Sequence, residues 1–362
     1  MIERLLIVGA SEESALETSY AEAFRSAGVE TTVFDPNRMI FGRSSRVFTR
    51  LTWSLQHLAV SAALRRYIAS APAVDAVLVF KGYFLNQPSI AWCRTHTRVP
   101  WLNFNPDSPF DPGRSTSSPQ IRAALSDYDL YATWSTALVP KLLAYGARRA
   151  EFLPFAAAPE VHYPDSQRDP ELRDKLTFVG SHDAQRASTL SALAGLPLAI
   201  YGNAWEDLPR RSPLRAHVRS AAVHGAGLRR VVSSSLASIN ILRPQNVGSH
   251  NMRTFEVPAM GGLLLTTRSQ EQQGFFPDQE ASLMYGSPDE LRSLAERLLR
   301  GEYDVPALKA NALARAATHT YHARALTLLG WEARTSLEDG LAATIDWLRT
   351  QPSGDDVDRV RL

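Results

Sequence analysis

The chain has 362 residues, 44% of them hydrophobic and 21% charged; that balance belongs to a folded globular protein, and the length exceeds what one hydrophobic core usually fills, so two domains with a cleft between them are expected. A formal net charge of +2 gives no field for nucleic acid. The single cysteine, Cys93, excludes an internal disulfide and a cysteine-built zinc site.

The opening run MIERLLIVGASEES is too short to span a membrane, and Glu3, Glu12 and Glu13 oppose a signal peptide, so the cytoplasm is the expected compartment. RLLIVGA reads as a strand, ALETSYAEAFRSAG as a helix closed by Gly28, and VETTVFD as the next strand. The alternation continues through VDAVLVFKG (strand), QPSIAWCRTH (helix), VPWLNFN and YDLYATWS (strands), TALVPKLLAYG (helix) and AEFLP (strand). Strands alternating with helices predict an α/β domain built on a parallel sheet, over residues 1–155. FAAAPEVHYPDSQRDP has the composition of a linker, assigned to 156–171. A second α/β domain, 172–330, follows from the strands LTFVGS, LPLAIYGN, SLASINILR and GLLLTT and the helices AQRASTLSALAG and SPDELRSLAERLLRG. The stretch from Val305 to Arg349 reads as one long helical run whose last part, 331–350, returns to the first domain, before a flexible tail at 351–362.

One stretch concentrates chemistry. In NMRTFEVPAMGGLLLT a loop feeds a helix whose left-handed exit needs glycine, supplied at Gly261 and Gly262. Unpaired amides at a helix start favour an anion, which makes Gly248, Ser249, His250 and Asn251 a candidate mouth, with Arg253 one turn in and Glu256 on the same face. A cation for phosphate beside a carboxylate for hydroxyls describes a nucleotide; an Arg–Glu surface pair is the alternative. Trp205–Arg253 holds eight Arg against Glu206 and Asp207, a field that attracts anions. Arg243 is selected with Arg253 because both flank the loop at a strand end, where open α/β sheets bind ligands.

Strand ends also mark the first domain. Asp107, after VPWLNFN, either accepts a proton from a hydroxyl or serves an Asx turn. Lys81 ends VDAVLVF, and Gly9 and Ser11 form the first β–α turn. Pro36–Val74 carries six Arg and no acid, interleaved with Phe41, Phe48, Trp53 and Tyr67. It is read either as a core-packed helix with a solvated edge or as a surface for an anionic acceptor or a lipid. His319 and His322 are read as structural.

Together, NMRTFEVPAMGGLLLT, FVGSHDAQR, YDLYATWS, GARRAEFLPFAAAPEVHYP, VLVFKGYFLNQ, NFNPDSPFD and HTYHARALTLL resemble CgeB-like, spore-maturation-type glycosyltransferases related to glycosyltransferase family 4. The resemblance spans most of Leu5–Leu329 and implies the GT-B fold: two Rossmann-like domains, a nucleotide-sugar donor on the second, the acceptor on the first, and no metal or other cofactor. By the same resemblance Glu256 holds the donor ribose, while Gly248 stands where the family has its first glutamate. Gly180, Ser181 and Arg186 stand at the phosphate-binding turn. The implied partners are a nucleotide sugar and a glycan, lipid-linked or small-molecule acceptor. A sugar-nucleotide epimerase and a non-catalytic sugar-nucleotide binder remain as alternatives.

Overall fold

The computed structural model describes residues 2–13, 15–39, 53–111, 117–220, 222–246 and 248–330. The segment 40–52 of the basic aromatic stretch, the returning helix 331–350 and the tail 351–362 lie outside the described residues. Both sheets lie in one unit, Met1–Ala325, and the chain from Leu326 onward is a separate unit.

The first sheet is built from β1 (Arg4–Val8), β2 (Glu30–Phe34), β3 (Ala76–Phe80), β4 (Trp101–Asn105), β5 (Leu130–Thr133) and β6 (Ala150–Phe152), in the order β2-β1-β3-β4-β5-β6. Every pairing is parallel. Near-continuous apolar runs such as Leu5–Val8 and Ala76–Phe80 are buried along their length, as strands covered by helices on both faces require. The described helices of this half are α1 (Leu16–Ser26), α2 (Trp53–Ser70), α3 (Gln87–Thr97), α4 (Pro119–Ala123) and α5 (Val139–Ala144). Asn86 caps α3 by accepting the Ser89 N–H at 2.9 Å, with Pro88 in the first turn.

The second sheet has the order β12-β11-β10-β7-β8-β9, again all parallel. Its strands are β7 (Leu176–Val179), β8 (Leu198–Tyr201), β9 (Val218–Ser220), β10 (Ala237–Asn240), β11 (Leu264–Thr267) and β12 (Leu283–Tyr285). Around it lie α6 (Ala184–Ser191), α7 (Gly225–Ser234), α8 (Arg253–Ala259), α9 (Gln270–Phe275), α10 (Pro288–Leu299), α11 (Val305–Ala316) and α12, which begins at Tyr321. The turn from α8 into β11 explains the glycine pair. Gly261 takes φ of +69°, and a Cβ on Gly262 would stand 2.5 Å from Val232 Cγ1.

Each sheet reverses its winding once: between β1 and β3 in the first, and between β7 and β10 in the second. Ligands of open parallel sheets bind beyond the carboxyl ends of the strands at such a reversal.

The long helix expected from Val305 onward is broken. α11 stops at Ala316 because His319 and Thr320 pair with the linker: the Ala157 N–H donates to His319 O at 2.9 Å, and the Tyr321 N–H donates to Ala157 O at 3.0 Å. This tertiary pairing overrides an otherwise helical sequence.

Candidate active site

A cleft of about 620 Å³ lies between the carboxyl ends of the two sheets. From the second sheet it is lined by Gly180 after β7, Arg186 on α6, Arg243 after β10, and Asn251, Arg253 and Glu256 at the start of α8. From the first it receives Lys81 after β3, Asp107 after β4 and Glu17 on α1.

The second-sheet wall is cationic. Arg186 lies across the Phe178 ring and donates from Nη1 to Ser181 O at 2.9 Å, while its Nε sits 3.5 Å from Asp183 Oδ2. Arg243 reaches the same carboxylate oxygen at 3.7 Å. Burial lowers the basicity of Arg186, and Arg243 lowers it further; Asp183 opposes them, and Arg253 adds to the repulsion. Three guanidiniums therefore face a cleft in which Asp183 and Glu256 are their carboxylate partners, and a bound anion relieves that repulsion. Asp183 has a second task as the cap of α6, accepting the Arg186 N–H at 2.9 Å.

Glu256 is 4% exposed. Its Oε2 is bonded by Arg253 Nη1, and its Oε1 faces His162 Nε2 at 3.7 Å, beyond hydrogen-bond reach. His162 Nδ1 accepts the Ala158 N–H at 3.1 Å, so Nε2 carries the hydrogen turned toward Glu256. Tyr321, 2% exposed, also lines the cleft.

The remaining residues of the expected helix mouth point elsewhere. Gly248 is exposed, at φ of +83°, and does not line the cleft. Ser249 and His250 are buried behind it. Both bond Glu271 Oε2 at 2.7 Å, from Ser249 Oγ and His250 Nδ1. The other Glu271 oxygen takes the Thr136 N–H at 2.8 Å and the Thr136 hydroxyl at 2.6 Å, while His250 Nε2 accepts the Phe155 N–H at 3.1 Å. Thr136 and Phe155 belong to the first sheet's loops, so these two residues build a strut between the sheets. His319 sits in the same apolar region, against Phe255, Phe275 and Phe276, and burial pushes its pKa down to about 4.

On the first-sheet wall, Lys81 adopts φ of +60°, a left-handed conformation that costs a non-glycine residue roughly 1–2 kcal/mol, and its Nζ stands 3.0 Å from Asp107 Oδ2. The Asx turn here is made by Asn105, whose Oδ1 accepts the Asp107 N–H at 3.0 Å, leaving the Asp107 carboxylate to Lys81. Pairs open to solvent on one side hold weakly, with about 0–1 kcal/mol at a fully exposed surface, so a ligand can separate this half-buried one. Ser11 lies away from the cleft, bound to Asp35 Oδ2 through its hydroxyl at 2.7 Å and its N–H at 3.1 Å. Gly9 borders a smaller adjoining cavity.

Sequence reasoning missed Glu17, His162 and Tyr321. Glu17 sits in an ordinary amphipathic helix, His162 in a linker, and Tyr321 between two histidines that drew the attention.

Residues 185–330 match the family model described as "Glycosyl transferase-like". The fold resembles that of a sucrose-phosphate synthase from Thermosynechococcus elongatus, with a TM-score of 0.66 at 16% identity over 94% of this chain and 100% of that one. It also resembles HepE from Anabaena in complex with UDP and glucose, with a TM-score of 0.63 at 12% identity over 91% and 98% of the two chains. A third neighbour is the lipopolysaccharide outer core galactosyltransferase WaaB, with a TM-score of 0.58 at 11% identity over 90% and 99%. No curated protein matches in sequence. The shared architecture is GT-B, two parallel α/β sheets facing a cleft. With a glycosyltransferase-like domain forming one wall of that cleft, the chain is an enzyme of glycosyl transfer.

Proposed function

We propose that the chain is a CgeB-like glycosyltransferase that moves a sugar from a nucleoside diphosphate to an acceptor hydroxyl without a metal ion. The observation that carries this reading is the asymmetry of the cleft: three arginines and one buried carboxylate on the second-sheet wall, and a lysine–carboxylate pair on the first. The diphosphate is assigned to Arg186, Arg243 and Arg253, which meet the charge that develops as the nucleotide departs. Glu256 is assigned to the ribose through Oε1, the oxygen that Arg253 leaves accessible. Asp107 is assigned to the acceptor side, taking the hydroxyl proton as the new glycosidic bond forms and the sugar–phosphate bond breaks.

Uridine donors are the first to test, because HepE was solved with UDP-glucose as well as with UDP. The acceptor is assigned to the first-sheet side of the cleft. Leu55 and Leu58 on α2 are 62% and 60% exposed, which supports peripheral contact with a membrane face; no described helix is long and apolar enough to cross one. We place the enzyme in the cytoplasm, where nucleotide sugars are made.

The test is calorimetric titration with UDP, GDP, dTDP and ADP. One of them should bind the wild type, and Arg186→Ala and Arg253→Ala should each weaken that diphosphate more than the matching nucleoside. Equal losses for both would remove the arginines from the phosphate site.

A further inference from the structure

A second cavity, of about 340 Å³, opens beside the cleft on the first-sheet side. Glu17 and Lys81 line both spaces, so the two side chains stand at the boundary between them. Beyond that boundary the small cavity is lined by Phe80, Tyr83, Phe84, Pro36 and Asn37. Tyr83 and Phe84 meet edge to face, with ring centroids 4.6 Å apart.

Glu17 is held there by construction. Its Oε1 accepts the Ala10 N–H at 3.3 Å, folding the side chain back across the β1–α1 turn. The stem then lies against Gly9: a Cβ at that position would stand 2.5 Å from Glu17 Cγ and 3.2 Å from Phe80 Cβ. Gly9, in the first β–α turn, thus provides the clearance that lets a carboxylate enter the cavity wall. Burial holds the Glu17 carboxyl above the ordinary carboxylate value, opposed by the Glu17 and Ala10 amides and by Lys81, with Asp35 adding to the rise.

We propose that this cavity is the acceptor subsite, and that it takes a neutral, polyhydroxylated ring whose hydroxyls bond Glu17 and Lys81 while its C–H face rests on Tyr83 and Phe84. This rests on the transferase reading above and adds the class of acceptor. The chemistry follows from the lining. One carboxylate and one ammonium give no net charge, so a phosphorylated acceptor gains nothing over a neutral one. Two half-buried charges disfavour an alkyl chain and are satisfied by hydroxyls, which donate to one and accept from the other. The volume lies near the lower end of small-molecule sites, roughly 300–1,000 Å³.

The test is saturation-transfer NMR on the protein saturated with its best nucleoside diphosphate, using glucose, galactose, rhamnose and myo-inositol as probes against glucose 6-phosphate and n-octanol. At least one neutral ring should give transfer to the wild type, and Glu17→Gln should weaken it by more than about tenfold, the loss of a hydrogen bond to a charged group. Gly9→Ala, which displaces Glu17 without removing it, should do the same. Both variants should keep nucleotide affinity within about twofold of wild type, which also shows that they fold. The inference fails if no neutral ring binds the wild type, if the phosphate ester or octanol binds in preference, or if Glu17→Gln and Gly9→Ala bind the rings as the wild type does. Failure of every nucleotide to bind would instead overturn the transferase reading itself.

Discussion

Replacing Glu256 by Gln tests the nucleotide assignment at its most constrained point. The side chain is 4% exposed, Oε2 is engaged by Arg253, and His162 stands 3.7 Å from Oε1. Only Oε1 is therefore able to take a ribose hydroxyl at full strength. A hydrogen bond to a charged group contributes about 1.5–3 kcal/mol, and 1.4 kcal/mol is a factor of ten, so the substitution should weaken binding roughly 10- to 150-fold. The near-isosteric amide leaves the helix and its packing in place. Calorimetry with a diphosphate and with its nucleoside separates two roles. If Glu256 holds the ribose, both ligands weaken by the same factor. If it serves only to aim Arg253, the diphosphate weakens and the nucleoside does not. Unchanged affinity for both would refute the assignment.

Three further outcomes are expected. Asp107→Asn should reduce transfer by about 10² to 10⁴ while leaving nucleotide affinity unchanged, the signature of a base on the acceptor wall; wild-type turnover in this variant would limit Asp107 to its pairing with Lys81. Transfer should proceed at full rate in EDTA, since the phosphate charge is assigned to arginines, and an activity lost to chelation and restored by manganese or magnesium would overturn that. Acid should loosen the strut between the sheets. Burial raises the Glu271 pKa, but bonds from His250, Thr136 and Ser249 outweigh it and hold the carboxyl below its ordinary value. Burial likewise holds His250 below the usual imidazole value, against the pull of Glu271. In both cases the unfolded chain takes up protons first, so the strut's contribution is complete above about pH 6.5, falls as His250 would charge, and falls again through the carboxylate range. Glu271→Gln, which replaces a buried carboxylate acceptor by a neutral amide while His250 stays neutral, should cost about 1.5–3 kcal/mol at neutral pH and flatten the carboxylate part of the acid limb of a melting-temperature profile; an unchanged profile would contradict this.

Much of the architecture was legible because parallel strands buried on both faces leave continuous apolar runs, as in Leu5–Val8 and Ala76–Phe80. The strands β9 and β12, three residues each, gave no such run. The break after Ala316 was not legible either, since it depends on Ala157 pairing with Thr320 across the fold. In the cleft, Lys81, Asp107, Gly180 and Arg243 were visible because each lies just beyond a strand end, where the topology places ligands. Glu17 was not, because its position depends on a fold-back onto Gly9 and Ala10 that no local pattern announces. Ser249 and His250 show the reverse case: unpaired amides at a loop–helix junction were expected to meet an anion, whereas the Ser249 N–H bonds Asn246 O at 2.9 Å and both side chains bond Glu271.

The most direct test of glycosyl transfer is to incubate the protein with UDP-glucose labelled in the sugar, with and without the neutral rings above, and to follow free UDP and labelled product together. UDP should be released only when an acceptor is present, one equivalent for each labelled glycoside formed. Release of UDP and free glucose at the same rate without acceptor, or isomerisation of a sugar that stays on the nucleotide, would contradict it.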